Sequence, residues 1–173
     1  MYAYQFSIDP IIPEILKLPG DIVGCEIGVN EGDSVYSTLE KVDAIKTIYG
    51  IDPYVQYVDH YNWDPEPPMR KFLSKMIGWE NKINFIRKTS NEAKDDLPDG
   101  ILDYIFIDGD HTYNAALQDM RNYYSKVRSG GLFSGHDWPC PPVQQAVYDF
   151  IDEIKLDKTR LQVIHGCWFW YKD

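Results

Sequence analysis

Short apolar runs alternating with helix-spaced segments constrain this chain more than any other feature of its sequence. Ile22-Val23-Gly24-Cys25-Glu26-Ile27 reads as a strand closed by glycine, and a helix is expected to start near Asp33-Ser34, with Val35, Leu39 and Val42 as its buried stripe. Thr47 to Ile51, Ile83 to Ile86 and Leu102 to Ile107 read as three more strands, the first of these ending at Asp52-Pro53, where proline cannot continue a central ladder. A helix is expected from about Thr112 to Val127, with Ala116, Leu117, Met120 and Tyr124 at helical spacing. Gly130-Gly131 then turns the chain into Leu132-Phe133-Ser134, and a last helix runs from about Val143 to Ile154. Such alternation predicts right-handed crossovers and a mainly parallel sheet with helices on both faces. At the end of the chain, Leu161 to Ile164 and Cys167 to Tyr171 flank His165-Gly166, a two-residue hairpin turn that adds an antiparallel strand.

The 173 residues suit one domain, 1–173, with no linker or repeat dividing them. One segment departs from the alternation. Between 53 and 81, Tyr54, Tyr57, Tyr61, Trp63 and Trp79 surround Asp64-Pro65-Glu66-Pro67-Pro68, which reads either as an aromatic lid over the site or as packing on a helix beneath. No run approaches the roughly 18 apolar residues of a membrane span, and the first residues lack the pattern of a secretory signal, so a cytoplasmic protein without membrane partners is expected. Cys25, Cys140 and Cys167 are odd in number and far apart, which argues against a disulfide framework or a cysteine zinc site. A net charge of −10 and the lack of a basic run make nucleic acid a poor partner. The aromatic tail Trp168-Phe169-Trp170-Tyr171 is expected to pack on the sheet, with a homodimer edge as the alternative.

The first strand runs into Glu26-Ile27-Gly28-Val29-Asn30-Glu31-Gly32, an E-x-G-x-x-x-G pattern. Glycines here let the backbone turn sharply and approach a ligand at the carboxyl end of a strand. Alone, such a loop is also an ordinary strand-to-helix turn. Asp52, at the end of the second strand, strengthens it, because an acidic side chain there can accept hydrogen bonds from both hydroxyls of a ribose. The G-x-G-x-x-G of a pyrophosphate site is missing. The pattern therefore suits a ligand with a ribose and no pyrophosphate.

Two further motifs, Asp108-Gly109-Asp110-His111-Thr112-Tyr113 and Gly135-His136-Asp137-Trp138, complete the set. Together these residues resemble class I methyltransferases dependent on S-adenosylmethionine (SAM), within them the small group carrying D-G-D-H-x-Y and G-H-D motifs (methyltransferase family 24). The resemblance covers Ile22 to Tyr171 and implies a Rossmann-like, doubly wound sheet of seven strands with an antiparallel C-terminal strand. It also implies that Glu26, Gly28 and Gly32 form the floor under the methionine part of SAM, with Asn30 of the same loop a further cofactor-binding residue and Ser34 at the carboxylate, where a helix N-terminus favours an anion. Asp52 would hold the ribose, Ser90-Asn91 would lie beside the adenine, and Asp108 would stand at the same edge. Thr89-Ser90-Asn91-Glu92 reads equally as a helix N-cap.

In metal-dependent relatives of catechol O-methyltransferase type, an aspartate at the place of Asp108 shares magnesium with acidic or amide residues after the fifth strand. Here that pair is His136-Asp137, so a divalent ion on Asp108 and Asp137 competes with a general-base role for His136 or His111. The expected reaction is direct methyl transfer to an oxygen of a sugar or other small hydroxylated molecule, with His111, His136 and Asp137 as catalytic candidates. A protein that binds SAM or another nucleoside without catalysis, and a nicotinamide-dependent oxidoreductase, are the alternatives.

Overall fold

The computed structural model describes residues 7–55 and 64–173. Seven strands, β1 Ile22–Ile27, β2 Ile45–Ile51, β3 Ile83–Ile86, β4 Leu102–Ile107, β5 Val127–Gly135, β6 Gln162–Ile164 and β7 Cys167–Tyr171, form one sheet in the order β3-β2-β1-β4-β5-β7-β6. Strands β1 to β5 are mutually parallel, whereas β7 runs antiparallel to both β5 and β6. The alternation and the antiparallel ending expected from sequence are therefore both present. His165 (φ 46°) and Gly166 (φ 86°) both adopt left-handed backbone, as the two central residues of a type I′ hairpin turn require.

Among the described residues six α-helices accompany the sheet: α1 Ile12–Ile15, α2 Asp33–Lys41, α3 Glu66–Lys75, α4 Ser90–Ala93, α5 Tyr113–Tyr123 and α6 Pro141–Ile154. They cover both faces, because α1, α2 and α3 bury Ile15, Val35, Leu39 and Phe72 on one side while α5 and α6 bury Met120, Val147, Phe150 and Ile151 on the other. The tail obeys the period-two rule of a strand: Trp168 and Trp170 join the α5/α6 side, Cys167 and Phe169 the α1/α2 side. It packs on the sheet, with Trp170 5.0 Å from Phe133 between ring centroids.

Several boundaries differ from the sequence reading for identifiable reasons. Gly130-Gly131 does not turn the chain into β5 but lies inside it, in a bulge where Leu102 pairs with Val127 and Tyr104 with Leu132. A Cβ on Gly131 would stand 2.7 Å from Val127 Cγ1, so the bulge folds back on itself there. The helix expected over 112–127 ends as α-helix at Tyr123, continues as a 3₁₀ turn, and gives up Val127 to β5. Thr112 is its cap, accepting from the Ala115 amide. The prolines of Asp64-Pro65-Glu66-Pro67-Pro68 start α3 rather than interrupt it, since a first helical turn needs no amide hydrogens from those positions.

That helix changes the picture of the aromatic segment. Tyr54 is buried in the core against Phe72 and Phe85, and Trp79 is partly buried against the same core. Tyr57, Tyr61 and Trp63 lie outside the described residues. The three cysteines are free. Among the described residues no helix is long and apolar enough to cross a membrane.

Candidate cofactor and acceptor site

The strand order reverses between β1 and β4, which are neighbours although β2 and β3 lie between them in the chain. A crevice opens outside the carboxyl ends of the strands at such a switch point, because the connections leave in opposite directions. Four hydrogen bonds carry the ladder one residue beyond the strands: Gly28 N to Ile51 O (2.9 Å), Asp108 N to Ile27 O (2.9 Å), Asp52 N to Ile86 O (3.3 Å) and His136 N to Ile107 O (3.0 Å). The residues after β1, β2, β4 and β5 are thus brought to one edge by ordinary sheet pairing.

At the crevice the backbone of Gly28 touches that of Asp108. A Cβ on Gly28 (φ 86°) would lie 2.1 Å from the Asp108 carbonyl oxygen, so no side chain fits. Gly32 (φ 78°) precedes α2 without a side-chain cap, and a Cβ there would meet Phe72 of α3 at 2.6 Å. The first amides of α2 are left free of such a cap beside Ser34, a setting that favours an anion. Lys75 of α3 holds the loop from outside, donating to Glu31 O (3.0 Å) and Asp33 Oδ1 (2.5 Å).

A cavity of about 240 Å³ lies over this loop, lined by Glu26, Gly28, Asn30, Ser34 and Asp108 among the expected residues, and also by Ser7, Glu31 and Asp33. Its electrostatics are one-sided. Glu26 is 2% exposed, and its carboxyl has no hydrogen-bond partner among the described residues. Burial, then the neighbouring charges of Asp108, Asp52 and Asp33, push its carboxyl well above the usual carboxylate range. Such a pocket favours a cation and disfavours phosphate.

Asp52 stands behind the loop and does not line the cavity. Its Oδ2 accepts from Asn30 N (2.9 Å) and its Oδ1 from Tyr54 N (2.8 Å), and each oxygen keeps a further lone pair. Burial raises its pKa, against the lowering effect of the Asn30, Tyr54 and Val29 amides. Asn30 itself has left-handed backbone (φ 49°), and its carbonyl oxygen accepts from the Tyr54 hydroxyl.

Ser90 and Asn91 are not brought to the cavity wall. The Ser90 hydroxyl donates to buried Asp119, and Asn91 Oδ1 accepts from Lys94 Nζ (3.2 Å) and Asn122 Nδ2 (3.4 Å). The helix-cap reading of Thr89-Ser90-Asn91-Glu92 holds, with Thr89 and Glu92 forming a reciprocal capping box.

Beside the cavity lies a shallow cleft lined by Asp108, His111, His136, Asp137, Val143 and Trp168. Asp108 belongs to both. His111 Nε2 pairs with Asp137 Oδ2 at 2.9 Å, and His136 Nδ1 lies 3.6 Å from Asp108 Oδ1 and 3.3 Å from Asp137 Oδ1. Those two carboxylates, Asp108 first, push the His136 imidazole up to about 10. It is therefore protonated at neutral pH and lacks the free lone pair expected of a general base. His111 is raised as well, by Asp137, and Asp137 falls below the usual carboxylate range because both histidines donate to it, His111 most strongly. Asp137 has left-handed backbone (φ 56°), tolerable for aspartate, and this aims its carboxylate between the two rings.

The hairpin holds His136 from the far side. Trp168 Nε1 donates to His136 O (2.9 Å), and a Cβ on Gly166 would stand 3.4 Å from His136 Nε2. One ligand atom each from Asp108, His111 and Asp137 lie within 4.8 Å of one another, a set that could hold a divalent ion. The sequence reading named the two aspartates for a metal and His111 only for catalysis.

Ser7 was missed altogether. Ile8, Ile11, Ile12 and Ile15 after it show a buried helical stripe, but nothing in that pattern tells where the segment docks.

Fold and site together define a Rossmann-like methyltransferase. The family model described as "Methyltransferase domain" (methyltransferase family 24) matches residues 25–138, from β1 through the loop after β5, and the chain belongs to that family. It is a SAM-dependent methyltransferase on that ground. A relative from Acanthamoeba polyphaga mimivirus, "Uncharacterized protein R132", is 31% identical over 160 residues, 86% of this chain and 68% of its own length. A second, "Uncharacterized protein y4gI" of Sinorhizobium fredii, is 23% identical over 155 residues, which span 86% of this chain and 17% of that much longer protein. Among solved structures, the O-methyltransferase NovP superposes with a TM-score of 0.67 at 18% identity, covering 96% of this chain and 76% of its own. A SAM-dependent methyltransferase from Aquifex aeolicus gives 0.63 at 18% identity over 94% and 88%. Spermidine synthase from Thermotoga maritima gives 0.60 at 16% identity over 94% and 56%, so the fold by itself does not fix the group transferred.

Proposed function

We propose that this protein transfers the methyl group of SAM to a hydroxyl oxygen of a sugar or other small hydroxylated molecule. The observation that carries the reading is the shared wall: Asp108 lines both the cation-favouring cavity and the polar cleft. A sulfonium in the first then faces a hydroxyl in the second across one carboxylate.

SAM suits the cavity on charge. Its ammonium answers the unpartnered Glu26, its carboxylate the start of α2 at Ser34, and its sulfonium the Asp108 side. A dinucleotide pyrophosphate would meet Glu26, Glu31, Asp33 and Asp108 at close range, which argues against the oxidoreductase alternative. Asp52, behind Asn30, is assigned the ribose, which reaches beyond the cavity. The net charge of −10 favours a neutral small acceptor over a nucleic acid.

In the cleft, orientation does most of the work. The acceptor hydroxyl donates to Asp108 or Asp137, which places an oxygen lone pair toward the methyl group. As the C–O bond forms and the C–S bond breaks, the hydroxyl proton becomes strongly acidic and passes to that carboxylate. Protonated His136 steadies the carboxylates and does not take the first proton, while His111 holds Asp137 in place from the other side.

The donor set of Asp108, Asp137 and His111 fits a divalent cation, and the mixed nitrogen and oxygen ligands suit manganese, iron or zinc better than magnesium. Bound there, such an ion would act as a Lewis acid toward the acceptor oxygen.

The test is calorimetric titration with SAM and NADH, followed by incubation with SAM and a panel of hydroxylated acceptors, with S-adenosylhomocysteine measured as product. Binding of SAM with turnover on a hydroxylated acceptor is expected. SAM binding without turnover on any acceptor would favour a sensor, and binding of NADH but not SAM would overturn the assignment.

A further inference from the structure

The wall of the cofactor cavity includes a residue that none of the motifs contains. Ser7 Oγ lies 2.8 Å from Ser34 Oγ and donates to Asp108 Oδ2 at 2.8 Å. A hydroxyl has one hydrogen, so with that hydrogen on Asp108 the Ser34 hydroxyl must donate to Ser7. A single small side chain thus bridges the proposed carboxylate site and the carboxylate shared with the acceptor cleft.

Its backbone is fixed from behind. The Cys167 thiol donates to Ser7 O at 3.1 Å, Ile8 is fully buried, and Asp9 Oδ1 accepts from Ser37 Oγ (2.6 Å) and Lys41 Nζ (2.7 Å) on α2. Rotation about the Cα–Cβ bond is the freedom left to the hydroxyl, and it moves the oxygen between rotamers within the same cavity.

We infer that Ser7 is a cofactor-binding residue that roofs the methionine end of SAM, turning its hydroxyl from Asp108 to the methionine carboxylate when the cofactor enters. The inference rests on the proposed placement of that carboxylate at Ser34. An anion beside Glu31, Asp33 and Asp108 needs neutral donors, and Ser7 supplies one from a segment that the family motifs do not reach.

The experiment is calorimetric titration of the wild type, Ser7→Ala and Ser7→Thr with two probes: SAM, and 5′-methylthioadenosine, which has the adenosyl group and sulfur but no amino-acid end. Ser7→Ala is expected to weaken SAM by about tenfold, the usual scale for one hydrogen bond to a charged group. Its affinity for methylthioadenosine should match the wild type, and Ser7→Thr, which keeps the hydroxyl, should recover SAM binding. Equal SAM affinity in wild type and Ser7→Ala, or equal loss for both probes, would overturn the inference. A wild type that binds neither probe would remove the cofactor assignment itself, and the role of Ser7 with it.

Discussion

Asp119 offers the most quantitative test of the structure, because a buried carboxylate beneath the site leaves a pH signature of known sign. It lies on α5, 5% exposed, with the Ser90 hydroxyl on Oδ1 and Oδ2 near Gly109 of the D-G-D-H loop. Burial, only partly offset by Ser90, pushes its pKa up to about 6 from 3.8. The unfolded chain then ionises at lower pH than the folded one, so stability is full below the unfolded pKa and falls as pH rises through about 6. Two units at about 1.4 kcal/mol each amount to about 3 kcal/mol by pH 7.5. Asn in place of Asp keeps an oxygen for Ser90 and carries no charge, and because the raised pKa already includes the Ser90 hydrogen bond, the variant gains the whole of about 3 kcal/mol at pH 7.5. Urea denaturation of wild type and Asp119→Asn at pH 4 and pH 7.5 should give nearly equal stabilities at the lower pH and a more stable variant at the higher. Subtracting the two proteins in each buffer removes the other titrating groups. A variant equally or less stable at pH 7.5 would mean that Asp119 is not desolvated as the packing of α5 implies.

Three further outcomes probe the site. Asp52→Ala should weaken SAM binding by about 1–3 kcal/mol, the cost of stripping charged hydrogen bonds from the ligand and of loosening Asn30; unchanged affinity in titration would place the ribose elsewhere. Glu26→Gln should raise the melting temperature without cofactor at neutral pH, since it removes a carboxyl that ionises freely in the unfolded chain and only at a cost in the fold, while weakening SAM; a variant that melts lower and binds SAM normally would refute the cavity electrostatics. In chelator-treated protein, NMR should find the His136 ring protonated from pH 6 to 8 and losing its proton near pH 10, with Asp137→Asn lowering that value. The associated stability is present below about pH 6.5 and lost as pH rises through about 10; a transition near 6.5 would break the ion-pair reading.

Legibility followed the range of the interactions. Leu102–Ile107 and the His165-Gly166 turn were readable because strand character and type I′ geometry are written in a few adjacent residues. Asp108 and the Gly28 loop were readable for the same local reason, each sitting one residue past an apolar strand. α3 was obscured by prolines that look like breakers until the helix start is located. The charge state of His136 was not readable, since it depends on two carboxylates that are 3.6 and 3.3 Å away in space.

The sequence by itself determined the alternation of strands and helices, the glycine turns and the acidic residues at strand ends, because hydrophobic period and backbone freedom are properties of neighbouring residues. Only the tertiary structure decided that β4 lies beside β1, which presses Gly28 against Asp108 and opens the crevice there. It alone placed Ser7 on Asp108, 101 positions away, and set a proton on His136. Contacts between distant segments arise from packing two faces of one sheet, and no local pattern encodes which surfaces will meet.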